Sequence, residues 1–280
     1  MKIFNKITDT KRFVRDAKDK GLSVGFVPTM GALHRGHLSL MEKAKAENDI
    51  LAVSIFVNPL QFNNPEDLEK YPRDFEKDRK LLEETGCDLL FYPDAEEMYP
   101  EPVSTQYDFG DLEKVMEGPM RPGHFNGVAI VVKKLFEIIE PDRAYFGEKD
   151  FQQLAIIQKL VKMENLPVTI VPCPIVREGD GLAMSSRNER LTAGQRQMAP
   201  FIHQTLKEAV KKSRFMTPDE IRFFVKNRFK DQPEFKLEYF ELSDDKELQP
   251  VSTWNDASGI IGFVACWLGN VRLIDNMRFI

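Results

Sequence analysis

The sequence predicts an α/β protein, a doubly wound parallel sheet followed by a smaller α+β domain. Three features carry this reading. Up to about residue 176, short apolar runs alternate with segments of helical period. Each run is apolar on both faces, as strands buried in a parallel sheet are. After Arg177 the alternation gives way to capped helices and then to strands in series.

Strands are expected at Ser23–Val27, Leu51–Val57, Leu89–Tyr92, Ala144–Phe146 and Val168–Val171. The first feeds a helical pattern at Leu38, Leu40, Met41 and Ala44. Val128, Val131, Val132, Leu135 and Ile139 share one helical face that stops before Pro141. Phe151, Leu154, Ile157, Leu160 and Val161 share another. Strand–helix–strand order implies right-handed crossovers, with ligands at the carboxyl ends of the strands. Residues 1–176 therefore read as a Rossmann-like domain and 177–280 as the α+β domain. The second opens with a flexible polar joint, Glu178-Gly179-Asp180-Gly181. Thr192 with Gln195, and Thr217-Pro218 with Glu220, are capping-box starts. Strands are expected at Lys236–Phe240, Ile260–Trp267 and Val271–Ile274, with a primed turn at Gly269-Asn270.

The 280 residues can bury a substantial core. Hydrophobic content of 42% and charged content of 30% describe a globular chain, and the net charge of -5 argues against a nucleic-acid surface. Cys87, Cys173 and Cys266 have neither disulfide nor zinc spacing, which points to a reducing cytoplasm. No apolar run approaches a membrane span, and the start of the chain lacks the apolar core of a signal peptide.

The chemistry concentrates at turns. Pro28-Thr29-Met30-Gly31-Ala32-Leu33-His34-Arg35-Gly36-His37 lies where the first strand ends and a helix begins, a place that binds anions. The chain has only 4 His, and two of them stand here. Asn58 and Gln61 leave the second strand at its carboxyl end, with groups suited to hydroxyls and a carboxylate. Gly147-Glu148-Lys149-Asp150 is a strand-to-helix turn with a phosphate-seeking Lys, and Gln153 follows it. Met184-Ser185-Ser186-Arg187 reads as a polyphosphate clamp. Arg121 and His124 open a helix, either to bind an anion or to cap it. His203 reads as packing. The charge-rich stretch from Glu66 to Glu84 reads as a solvated helix surface, with Asp74 and Asp78 on one face as weak metal candidates.

Two His, a Lys, an Arg and two Ser form a triphosphate site, yet no Walker-type motif is present. Attack at the α-phosphate with loss of pyrophosphate is favoured over kinase chemistry, with Mg²⁺ bridging the phosphates. Nucleotidyl transfer to a phosphorylated substrate is the competing reading. A tRNA-charging relative is disfavoured by the acidic balance.

The blocks PTMGALHRGH, SIFVNPLQF, YPRDFEKD, RPGHFNGV, YFGEKDFQQL, MSSRN and the tail VRLIDN resemble, in order and spacing, the pantoate–β-alanine ligases. These belong to the His-x-Gly-His nucleotidylyltransferase superfamily. The resemblance implies condensation of (R)-pantoate with β-alanine, using ATP and Mg²⁺, through a pantoyl-adenylate. It places Met30, Gly31, Ala32, Leu33, His34, Arg35, Gly36 and His37 at ATP, with His37 and His34 on phosphates. Gly147 and Asp150 would hold the ribose, Lys149 the phosphates, and the Val176 backbone the adenine, with Glu148 also at ATP. Met184, Ser185, Ser186 and Arg187 would close over the triphosphate. Gln61 and Gln153 would grip pantoate with Asn58 nearby, and Arg121 and His124 fall with the substrate. Asp78 is the metal candidate, with Lys77 standing where a second carboxylate is common. Ala129-Ile130 replaces a common Thr of the family. A cytoplasmic homodimer is implied.

Overall fold

The computed structural model describes residues 1–63, 65–69 and 71–280. Its first sheet holds six parallel strands: β1 (Lys2–Phe4), β2 (Val24–Thr29), β3 (Ile50–Ile55), β4 (Leu89–Phe91), β5 (Arg143–Gly147) and β6 (Thr169–Cys173). Their order is β1-β4-β3-β2-β5-β6, so the winding reverses between β2 and β5. Such a reversal opens a crevice at the carboxyl ends of the strands. β1 is absent from the expected strands. It is a three-residue edge paired only with β4, too short to show a period. β3 stops two residues before the expected end, where the chain turns into Asn58-Pro59.

The helices are α1 (Ile7–Lys18), α2 (Arg35–Glu47), α3 (Pro65–Glu69), α4 (Phe75–Glu84), α5 (Ala95–Met98), α6 (Glu117–Met120), α7 (His124–Ile139), α8 (Phe151–Met163), α9 (Ala193–Met198), α10 (Phe201–Lys212) and α11 (Pro218–Lys230). Leu40, Met41 and Ala44 of α2 and Leu82 of α4 pack against Val27, Leu51, Val53 and Leu90 of the sheet. The apolar stripe of α7 is buried as its spacing predicts, and Glu140 ends it in the left-handed region before Pro141. None of the described helices is long and apolar enough to cross a membrane.

The second sheet is antiparallel: β7 (Phe235–Asp244), β8 (Ile260–Leu268) and β9 (Val271–Arg278). β7 and β9 run longer than expected, because their far ends, residues 241–244 and 275–278, are mostly polar and carry no apolar run. Gly269 alone of the two turn residues has positive φ, at 57°, which is the type II′ pattern. Both capping boxes form, at Thr192 and at Thr217. Leu206, Ile221, Val225, Phe229, Leu242 and Val264 are the heart of this core.

The chain divides into two compact units. One comprises Met1–Phe109, Met120–Glu148 and Gln153–Pro174; the other comprises Gly110–Pro119, Lys149–Gln152 and Ile175–Ile280. The first of the two short excursions belongs to the second unit for a visible reason. Arg272 of β9 grips Glu117 at 2.8 Å through both terminal nitrogens, and Tyr239 donates to the same carboxylate at 2.6 Å.

Candidate active site

The His-containing turn follows β2 as its sequence position implies. Thr29 closes the strand: its Oγ1 donates to the Ser54 carbonyl at 2.8 Å and accepts the Gly31 N–H at 3.1 Å. Gly31 and Ala32 then adopt φ of 82° and 50° in succession. Two left-handed residues in a row need an outside partner, since a side chain strains there. Asp78 is that partner. Its carboxylate accepts the N–H of Ala32 at 2.9 Å and of Leu33 at 2.7 Å. A Cβ on Gly31 would stand 2.9 Å from Asp78 Oδ2, so glycine is required on steric grounds as well.

Asp78 is also the expected metal candidate. The residue is 2% exposed and both oxygens serve the loop, so the carboxylate shapes the turn. Burial pushes its pKa above the ordinary carboxylate range, while the two amides pull it back. The expected solvated surface from Glu66 to Glu84 forms two helices, α3 and α4, and within it Asp78 and Leu82 are buried. A cleft of about 420 Å³ borders Met30, Gly31 and Asp78 at the carboxyl ends of the strands.

His34 is the N-cap of α2. Its Nδ1 accepts the Gly36 N–H at 3.1 Å, and His37 Nδ1 accepts the His34 N–H at 3.4 Å, a capping box built from two imidazoles. The ring centroids lie 4.1 Å apart. Because both Nδ1 atoms accept, the neutral rings carry their protons on Nε2. Two ring donors therefore stand at the positive end of a 13-residue helix, beside its first backbone N–H groups. Arg35 is exposed and ion-paired to Glu42.

Asn58 and Gln61 form one hydrogen-bonded unit. Asn58 is 1% exposed and donates to Gln61 Oε1 at 3.1 Å and to the Gly127 carbonyl at 3.0 Å. Tyr99 donates to Asn58 Oδ1 at 2.9 Å, and Gln61 Nε2 lies 3.3 Å from Met30 Sδ. His124 acts on the same group from below. Its Nδ1 lies 2.8 Å from the Gln61 carbonyl oxygen, which can only accept, so Nδ1 donates and Nε2 receives Arg121 at 3.0 Å. At Gly127 a Cβ would fall 2.2 Å from the Leu60 carbonyl, so α7 seats directly on the turn that carries Gln61. That role of Gly127 depends on a contact 67 residues away in sequence and carries no local signal. Gln153 lies half-buried on α8.

Gly147 ends β5, and a Cβ there would meet nothing within 4 Å, which leaves the backbone open to a ligand. Glu148–Asp150 form a single 3-10 turn after it. In the second unit, Lys149 Nζ stands 3.9 Å from Asp150 Oδ2. The expected flexible joint is a pinned hairpin instead: Arg177 pairs with Ala183, and Val176 O accepts the Met184 N–H at 3.0 Å. Ser185 caps the 3-10 turn Ser186–Arg190 by accepting the Arg187 N–H at 3.3 Å. His203 packs against Gly181, whose Cβ would meet its ring at 2.4 Å.

A model of the pantoate-beta-alanine ligase family matches residues 2–278. Pantothenate synthetase of Porphyromonas gingivalis is 50% identical over 279 residues, covering 100% of this chain and 99% of that one. That of Bacteroides thetaiotaomicron is 48% identical with the same coverage. The crystal structure of pantothenate synthetase from Thermus thermophilus superposes with a TM-score of 0.92 at 43% identity, covering 100% of this chain and 99% of that chain. Pantoate-beta-alanine ligase from Francisella tularensis, complexed with beta-gamma ATP and beta-alanine, superposes at 0.82 with 37% identity, covering 100% and 98%. With its His-capped helix at the carboxyl end of β2 and a family match running from residue 2 to 278, the chain belongs to the pantoate–β-alanine ligase family.

Proposed function

We propose that the Met30–His37 turn binds the triphosphate of ATP, and that Asn58, Gln61 and Gln153 hold (R)-pantoate for attack on it. The chain is an ATP-dependent ligase that condenses pantoate with β-alanine. In the first step a pantoate carboxylate oxygen attacks the α-phosphorus, the bond to the bridging oxygen breaks, and pyrophosphate leaves. In the second, the β-alanine amine attacks the acyl carbon and loses a proton. AMP departs carrying one pantoate oxygen.

The observation that carries this reading is the imidazole capping box. It turns both Nδ1 atoms inward and leaves Nε2 protonated at a helix N-terminus. Donors so fixed stabilise charge growing on a leaving phosphate without reorganising. His37 is assigned to the leaving pyrophosphate, with His34 beside it. Lys149, Ser185, Ser186 and Arg187 neutralise the phosphates, Met184 flanks them, Gly147, Glu148 and Asp150 meet the ribose, and the Val176 backbone meets adenine. Arg121 and His124 serve the pantoate side by holding Gln61. Mg²⁺ enters as part of the nucleotide. The phosphates would supply most of its ligands, with at most one or two protein carboxylates beside them. The active form is a cytoplasmic homodimer.

Pyrophosphate release should require pantoate and not β-alanine. With pantoate labelled by ¹⁸O in its carboxylate, label should appear in AMP when β-alanine is added. Pantoate-independent release, or unlabelled AMP, rejects the acyl-adenylate.

A further inference from the structure

Lys149 needs more than its sequence position, because its side chain is a flexible four-carbon stem whose reach depends on where its backbone is held. The 3-10 turn Glu148–Asp150 is a single turn with no second turn to stiffen it. The residue that holds it lies 127 positions away, in the second unit that also contains Lys149. Asn276 of β9 donates from Nδ2 to the Lys149 carbonyl at 3.1 Å, and it is only 6% exposed.

Asn276 is itself immobilised. Its N–H donates to Asp275 Oδ1 at 2.8 Å. Asp275 receives the Arg177 guanidinium on both oxygens, at 2.7 and 2.9 Å, and Arg177 returns a bond to the Asn276 carbonyl at 3.3 Å. The same guanidinium donates to the Gly181 carbonyl at 3.1 Å, closing the hairpin that follows Val176. A bidentate guanidinium on a buried carboxylate has one geometry, so it transmits position well. The Phe151 ring, two residues after Lys149, packs on Phe263 of β8 at 5.8 Å between centroids.

We infer that Asn276 is a positioning residue of the ligase: through the Arg177–Asp275 knot it fixes the Lys149 backbone and thereby sets where the ammonium group meets the nucleotide. This rests on the assignment of Lys149 to the phosphates. A purely structural Asn276 would stabilise the fold and leave no particular tie to Lys149, and a double-mutant cycle separates the two.

The full-length enzyme is assayed for pantoate-dependent pyrophosphate release as Lys149→Ala, Asn276→Leu and the double variant, with Asn276→Asp as a second probe that keeps the size but removes the donor. Thermal unfolding is followed for each. Asn276→Leu and Asn276→Asp should each lower kcat/KM for ATP by ~10-fold or more, as small misplacements of a catalytic group do. In the Lys149→Ala background, Asn276→Leu should cost nothing further. Undiminished turnover in both single Asn276 variants, or full additivity with Lys149→Ala, overturns the inference. Undiminished turnover of Lys149→Ala overturns the role of Lys149 itself, and the inference with it.

Discussion

Asp78 accepts the Leu33 N–H at 2.7 Å, from 45 residues away, and with the Ala32 bond it clamps a segment where the chain runs through two left-handed residues. Asp78 and the His-containing turn form a single construction, since α4 supplies the acceptor that lets β2 end as it does.

Asp78→Asn keeps the shape but presents an N–H group to one of the two amides. Leaving that buried donor without an acceptor should cost about 1–3 kcal/mol of stability. Distortion of the loop should lower kcat/KM for ATP by ~10- to 100-fold. Steady-state kinetics with thermal unfolding check both, and unchanged kinetics in a destabilised variant would confine Asp78 to the fold.

His34 both caps a helix and carries an Nε2 donor. Asn is a strong N-cap, so His34→Asn should keep the melting point near that of the parent, whereas His34→Ala should lose ~1 kcal/mol. Both should lose activity, by on the order of 100-fold if the ring contacts transition-state charge. Recovery of turnover in His34→Asn would assign the residue to capping alone.

Gly127→Ala should act on substrate binding from outside the pocket. The added methyl group meets the Leu60 carbonyl at 2.2 Å and the Gln61 N–H at 2.7 Å, so the turn carrying Gln61 must move. KM for pantoate should rise by ~10-fold or more, with about 1–3 kcal/mol lost to overpacking. A normal KM in a folded variant would show that Gln61 does not contact pantoate.

The thiols should be inert. Cys87, Cys173 and Cys266 are buried and free, and burial pushes them up to about 12, about 11 and about 12. At pH 8 even Cys173 is on the order of 0.1% thiolate. A thiol reagent should label the native enzyme slowly and all three sites after unfolding, and a fast native phase would reveal local opening of the sheet.

The parallel sheet was legible because strands apolar on both faces alternate with helices of period 3.6, a pattern that burial itself imposes. The place of the His turn was legible because a strand-to-helix junction needs only local backbone geometry and residues a few positions apart. Asn58 and Gln61 were legible for the same reason, since three residues separate them. β1 escaped because three residues at an edge carry no periodicity. The joint at Glu178–Gly181 read as flexible because its composition is polar, while Arg177, which pins it, finds Asp275 only across the folded second unit.

The chain itself thus determined the layers, the crossovers and the chemical types gathered at the carboxyl ends of the strands. Tertiary structure decided which polar groups meet across the fold. Asp78, the metal candidate of the sequence, accepts two amides of a strained turn. His124, expected to bind an anion or cap its helix, bonds the Gln61 carbonyl. Gly127 lets its helix seat on the turn that carries Gln61. Apolar periodicity records how much surface a residue buries, whereas a buried hydrogen bond depends on one partner's position, and that partner stands 45 residues from Asp78 and 63 from His124.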